Sequence, residues 1–354
     1  MKEKIEKIKN LLERETNNSK RYLLSKLYTT FYCFLDEKEK EEERHFLEST
    51  ELYFDVPEFY DYLRYDKEIF IDFISKINKR YEETGFNFYY LTSENKLNFQ
   101  EAEEITSAIL EDMPIFDKDR LYDFSSLNFQ DLSYYYGFCL NTFGLFKENI
   151  TIDSKIDKIV TFVKTLCHEI GHNYENIYMS SMNAKQQTDR YYYTFGEVMA
   201  TFFERVALDY LIRNHIYLDD AERELNCYYD DLLWRIFDLE EIYKNSDFNN
   251  LIYDDRKILY KITSSNNPKI EKIDFNYKEC IEYIYGTLLG EYFFDIYRKD
   301  KKEALKEIRD FLANQGLLCE RQLLNRIDFK NNDFSFFDQG LKENKKYLRT
   351  KYKW

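Results

Sequence analysis

Only three prolines and nine glycines interrupt the 354 residues of this chain, and apolar side chains recur at helical spacing over long stretches between them. Gly and Pro are the residues least compatible with a helix interior, so such sparse punctuation describes a mostly helical protein with few strands. The periodicity predicts helices over 1–15, 20–35 and 100–111, and a longer one from Glu58 to Glu83 bracketed by Pro57 and Gly85. On that longer helix Phe59, Leu63, Phe70, Phe73, Ile74 and Ile77 fall on one inward face. Further helices are predicted at about 220–245, 252–262, 277–298, 301–314, 320–327 and 338–350. Between Asp123 and Ile152 the pattern changes to short aromatic and β-branched runs around Gly137 and Gly144, which read as two or three strands. This divides the chain into an N-terminal helical lobe, residues 1–122, and a second domain, residues 123–354.

Within the second domain, the run from Val160 to Tyr174 contains His168-Glu169-Ile170-Gly171-His172. Residues four apart lie one above the other on a helix, so His168 and His172 can offer two imidazole nitrogens to one metal ion. Glu169 follows the first His, where its carboxylate can take a proton from a water on the metal's open position. This is the spacing of a zinc hydrolase. Cys167, one residue before a ligand, points about a hundred degrees away and reads as a packing residue.

A catalytic zinc takes three protein ligands, and His, His, Glu is one of the standard sets. Tyr193 to Glu204 reads as a second helix, in which Glu197 stands among Phe, Val and Met and would need a partner there. Glu197 is the expected third ligand. The 24 residues between His172 and Glu197 leave room for a short connection before an antiparallel return. Glu204, seven residues on and on the same face, is a candidate to hold the second ring nitrogen of a ligating His.

These segments resemble the thimet oligopeptidase and oligoendopeptidase F family of zinc metallopeptidases. The resemblance rests on the His-pair helix with its approach from Ile156 to Cys167, the distance to Glu197, and the run Glu197 to Glu204. It continues through Tyr283-Ile-Tyr-Gly-Thr-Leu-Leu-Gly290 and the tail from Glu303 to Leu348, covering the chain from about residue 130 onwards. It implies a zincin-like (gluzincin) catalytic domain, mostly α with a small β-sheet, whose cleft lies between the two lobes. By analogy with such peptidases, an edge strand beside the zinc helix would hold the substrate backbone.

In that family a tyrosine, assisted by a histidine slightly upstream, stabilises the oxyanion formed as the peptide carbonyl is attacked. Here Tyr277, Tyr283 and Tyr285 occupy the corresponding stretch, and no histidine does; the remaining two, His45 and His215, lie elsewhere. Thr287 stands where one of the family's tyrosines is usual. A phenol is itself a hydrogen-bond donor, so any of the three tyrosines can serve.

The balance of 66 acidic against 51 basic residues, a formal charge of −15, argues against a nucleic-acid partner. The N-terminal run Met1 to Arg14 is amphipathic rather than a signal peptide, and nowhere do eighteen apolar residues run together. A cytoplasmic protein with no membrane partner is expected. The six cysteines, Cys33, Cys139, Cys167, Cys227, Cys280 and Cys319, are scattered without short pairings and read as reduced thiols.

The expected activity is hydrolysis of short peptides by a zinc-dependent oligopeptidase, with Zn²⁺ as the cofactor and Glu169 as general base. The N-terminal part is short for the family, which implies either a more open cleft or a homo-oligomer that completes it. The alternative is a catalytically silent peptide-binding protein on the same scaffold. Binding alone has no chemical need for Glu169, and its presence favours the enzyme.

Overall fold

The computed structural model describes residues 2–33, 38, 43, 46, 67–84, 94–113, 123–132, 136–139, 150–180, 195–245, 276–315, 318, 320–329, 334–338 and 341. The helices predicted at 252–262 and 338–350, and the start of the one from Glu58, fall wholly or mostly outside these residues.

Ten helices and three short strands are formed among the described residues. They are α1 (Lys2–Arg14), α2 (Asn18–Cys33), α3 (Lys67–Thr84), α4 (Phe99–Asp112), β1 (Asn128–Gln130), β2 (Gly137–Cys139) and β3 (Ile150–Asp153). There follow α5 (Ile159–Ser180), α6 (Val198–Arg213), α7 (Leu218–Asn245), α8 (Asn276–Lys299), α9 (Lys301–Asn314) and α10 (Glu320–Arg326).

Local chemistry sets several of these boundaries. Asn98 caps α4 by accepting from the Glu101 amide, and Asp300 caps α9 by accepting from the amides of Lys302 and Glu303. The sheet has the order β1-β3-β2, with β1 parallel and β2 antiparallel to β3. Ile150, Thr151 and Ile152 of β3 are buried, as befits its central position.

The core forms as two bodies of apolar side chains. One joins Ile5, Ile8 and Leu12 of α1 to Leu27, Tyr28 and Phe31 of α2. The other is far larger, and Phe70, Phe73 and Ile77 of α3 and Ile105 and Ile109 of α4 belong to it together with the interiors of α5, α6 and α8. The main core therefore runs across position 122, where the sequence suggests a division between lobes.

Helix α6 lies between α5 and α8. At its crossing with α5, a Cβ added to Gly171 would stand 2.5 Å from the Met199 carbonyl oxygen and 2.6 Å from the Ala200 Cα, so only glycine permits this approach. On its other side, the Thr201 hydroxyl donates to the Gly286 carbonyl of α8 at 2.6 Å. Deeper in the same interface, buried Arg205 of α6 donates through Nε to Glu291 of α8 at 2.8 Å, with the Phe294 ring 4.0 Å from the guanidinium carbon. Tyr229 of α7 donates to the same Glu291 oxygen at 3.1 Å, and Tyr81 of α3 donates to the Tyr229 carbonyl at 2.7 Å. The buried ion pair thus ties three helices together, and the Tyr229 backbone adds α3.

Candidate metal centre

The close crossing at Gly171 places the middle of α5 against the first turn of α6, and the three expected ligands meet there. Nε2 of His168 lies 3.3 Å, and Nε2 of His172 lies 3.5 Å, from Oε2 of Glu197. One donor atom from each residue falls within 4.8 Å of the others, the only such His, Cys, Asp or Glu group among the described residues. The two imidazole centroids are 5.0 Å apart with their planes at 81°, edge to face, consistent with their succession along one helix face.

Sequence periodicity puts Glu197 inside a helix that starts at Tyr193; the structure starts that helix at Val198 and leaves Glu197 at the residue before it. Phe195, Gly196 and Glu197 form a turn, and the Glu197 carbonyl accepts the first helical bond from the Thr201 amide at 2.9 Å. Gly196 within the run is the local reason, since glycine disfavours continuing the helix backwards.

The donor set fits a divalent cation. Oε2 of Glu197 is buried and makes no hydrogen bond among the described residues, yet faces two imidazole nitrogens. A buried carboxylate oxygen left in this way is costly unless a cation completes it. Two imidazoles, one carboxylate and a fourth position open is a zinc-type set.

The electrostatics are those of a site that concentrates negative charge. Burial works against the charged form of His168, but the carboxylates of Glu197 and Glu204 beside it outweigh burial and hold the imidazole well above its ordinary pKa. His172 is raised for similar reasons, with Glu197 the main opposing influence to burial. Burial would raise Glu197, but the two imidazoles hold it below the usual carboxylate range. Glu169 is raised, chiefly by burial, which the imidazoles only partly offset.

Glu204 approaches the other face of His168: its Oε2 lies 3.0 Å from Nδ1. Behind it stand residues of α5 and α7. Lys164, one turn before His168, pairs with Glu224 of α7 at 2.7 Å and lies 3.9 Å from Glu204, while Thr161 donates to Glu224 at 2.6 Å. Only the one-turn spacing from Lys164 to His168 was visible in the sequence; Glu224 is brought in by packing of α7.

Glu169 is buried beside β2, an edge strand of the sheet among the described residues. A Cβ added to Gly137 would stand 3.0 Å from Glu169 Oε1, so the strand backbone passes directly against this side chain. Cys167 is fully buried in the core, in keeping with a packing role.

The three tyrosines separate. Tyr283 stacks on His168, with centroids 6.2 Å apart and planes 12° from parallel, and the guanidinium carbon of Arg235 from α7 lies 3.9 Å from its ring centroid. Tyr285 is fully buried among Phe70, Phe73 and Phe195 in the main core. Tyr277 belongs to the first turn of α8, and its side chain lies outside the described residues. Thr287 is buried on the same helix, and His215 sits in the turn after α6 with φ of 56°. His45 lies outside the described residues.

No protein-family model and no curated protein sequence matches the chain. Solved structures do share its fold. A crystal structure from Chlamydophila abortus, assigned as a peptidase, superposes with a TM-score of 0.54 at 13% identity, over 79% of this chain and 55% of that one. Another from Bacillus anthracis str. Ames, assigned as an oligoendopeptidase F, superposes with a TM-score of 0.52 at 12% identity, over 94% of this chain and 67% of that one. The fold is thus mostly helical with a small three-stranded sheet, similar to that of oligoendopeptidase structures. The chain spans just over half the length of the first neighbour and two thirds of the second. Among the described residues no helix is long and apolar enough to cross a membrane.

Proposed function

We propose that this chain is a zinc-dependent oligopeptidase that hydrolyses short peptides, with His168, His172 and Glu197 holding the metal. The observation that carries this reading is the convergence of two imidazole Nε2 atoms on a buried carboxylate oxygen that makes no hydrogen bond among the described residues. Fold neighbours assigned as peptidases support the reaction class.

Zinc held there supplies a Lewis acid that polarises a peptide carbonyl and acidifies a water. Glu169 accepts the proton released as water adds to the carbonyl and returns it to the departing amine. Its burial keeps the carboxyl pKa raised, which brings it closer to the working range of a general base. Tyr283 donates its phenol hydrogen to the developing oxyanion. Glu204 holds Nδ1 of His168, fixing the tautomer that leaves Nε2 free to ligate. The edge of β2 offers backbone groups to an extended peptide lying past Glu169.

Short peptides are the substrates in this reading, the cytoplasm is the expected place, and the net charge of −15 disfavours nucleic acid. A homo-oligomer that walls the cleft, or a more open cleft, belongs to the same reading, as does a functional division near residue 122. The Glu169→Gln variant tests the enzymatic part: it should keep zinc and fold, and lose about 10²–10⁴-fold in turnover of any peptide the parent cleaves. Equal turnover by that variant would return the chain to the class of binding proteins or assign the base elsewhere.

A further inference from the structure

The cluster around His168 is acidic, with Glu169, Glu197 and Glu204 all beside the imidazole pair. The nearby cation on the α5 side, Lys164, is occupied with Glu224 and Glu204. Further along α7 than Glu224 stands Arg235. Its guanidinium lies over the ring of Tyr283, and that ring in turn lies nearly parallel to the imidazole of His168. Asp231, one turn earlier on α7, accepts from Arg235 Nε at 2.7 Å, which orients the planar guanidinium. Arg235 is largely covered, with its side chain 19% exposed, while Asp231 is 56% exposed. The stack therefore runs from the solvent-facing side of α7 inward to a proposed metal ligand.

We propose that Arg235 is a positioning residue for the oxyanion donor: it fixes the Tyr283 ring against His168 and strengthens the phenol as a hydrogen-bond donor. This rests on the zinc-peptidase reading above. A guanidinium held against a phenol ring is attracted to the ring's negative face and draws electron density from it, more effectively where water is excluded. The O–H of such a phenol carries more positive charge and bonds more strongly to an anion than to a neutral carbonyl. The benefit appears as the carbonyl oxygen becomes an oxyanion, so it lowers the barrier rather than tightening substrate binding. Arg235 itself need not touch the substrate.

The test is a cycle of Arg235→Met, Arg235→Lys, Tyr283→Phe and the double variant Arg235→Met with Tyr283→Phe, each prepared with zinc. Zinc content reports whether the fold survives. Turnover of a fluorogenic peptide is read as kcat and KM, and affinity for a phosphinic peptide, which mimics the tetrahedral anion, is read by calorimetry. Arg235→Met should lower kcat and phosphinate affinity by about fivefold to tenfold with KM nearly unchanged, and Arg235→Lys should recover part of this. In the Tyr283→Phe background, Arg235→Met should cost little further, because the hydroxyl through which it acts is gone. A loss confined to KM, or an undiminished loss in the Tyr283→Phe background, would make Arg235 a direct substrate contact and overturn the proposal. So would a silent Arg235→Met in a parent that binds zinc and phosphinate. A parent that takes up neither zinc nor phosphinate removes the peptidase reading, and the proposal with it.

Discussion

Nδ1 of His168 and Oε2 of Glu204 lie 3.0 Å apart. A carboxylate only accepts, so this contact requires the hydrogen on Nδ1, and in the neutral ring that metal ligation needs the lone pair then lies on Nε2, the nitrogen on the Glu197 side. One side chain on α6 thereby selects the tautomer of another on α5. Replacing Glu204 by Gln should lower zinc affinity by about 10–100-fold without abolishing binding, as titration against a competing chelator would measure. An affinity equal to the parent's would mean that His168 is oriented by something else.

Gly171 makes the ligand geometry sensitive to a single methyl group. In Gly171→Ala the new Cβ would meet backbone atoms of Met199 and Ala200 at 2.5–2.8 Å, and backbone cannot rotate aside. Overpacking of this kind typically costs about 1–3 kcal/mol. Because the displaced helix carries Glu197 at its start, the variant should lose zinc affinity as well as melting temperature. Urea unfolding and metal titration of the same sample check both.

The buried pair of Arg205 and Glu291 provides the contrast. Removing one partner, as in Glu291→Met, leaves an uncompensated buried guanidinium and should destabilise the fold by about 3–5 kcal/mol in urea unfolding. Glu291 is not among the proposed ligands, so the fraction that remains folded should bind zinc with parental affinity. Loss of affinity in that folded fraction would show that α8 helps to set the ligand positions.

For the tyrosines, Tyr283→Phe should reduce kcat by about 10²–10³ with KM nearly unaltered, whereas Tyr285→Phe should leave kcat close to the parent's. Phe keeps the ring in each case, so neither result can be assigned to a cavity. The reverse pattern would move the donor to the core side of α8.

How much of this could be read from the chain alone follows from the range of each interaction. His168, Glu169 and His172 occupy little more than one helical turn, so a rule about helix faces suffices to group them. Glu197 was legible because a carboxylate among Phe, Val and Met demands a partner, and Glu204 because it follows seven residues on along the same helix face, where a ligating His needs a carboxylate. Helical phase also separates Tyr283 from Tyr285, since two residues turn the helix by about 200°, but it does not say which of the two faces the site. That depends on which face of α8 meets α6, a property of packing. Lys164 with Glu224, and Tyr283 with Arg235, join residues tens of positions apart on helices whose surfaces look ordinary in sequence. The start of α6 was placed too early because apolar periodicity continues through the turn over Phe195, Gly196 and Glu197. The strand order was equally silent: short apolar runs mark strands, while pairing β1 parallel and β2 antiparallel to β3 is decided by connections.

If His168, His172 and Glu197 hold one metal ion, metal analysis of the purified protein should find it. The parent should carry about one equivalent of zinc per chain, Glu197→Ala should carry much less, and the triple alanine variant at His168, His172 and Glu197 should carry none. Zinc retained at one equivalent by the triple variant would mean that these three residues do not hold it.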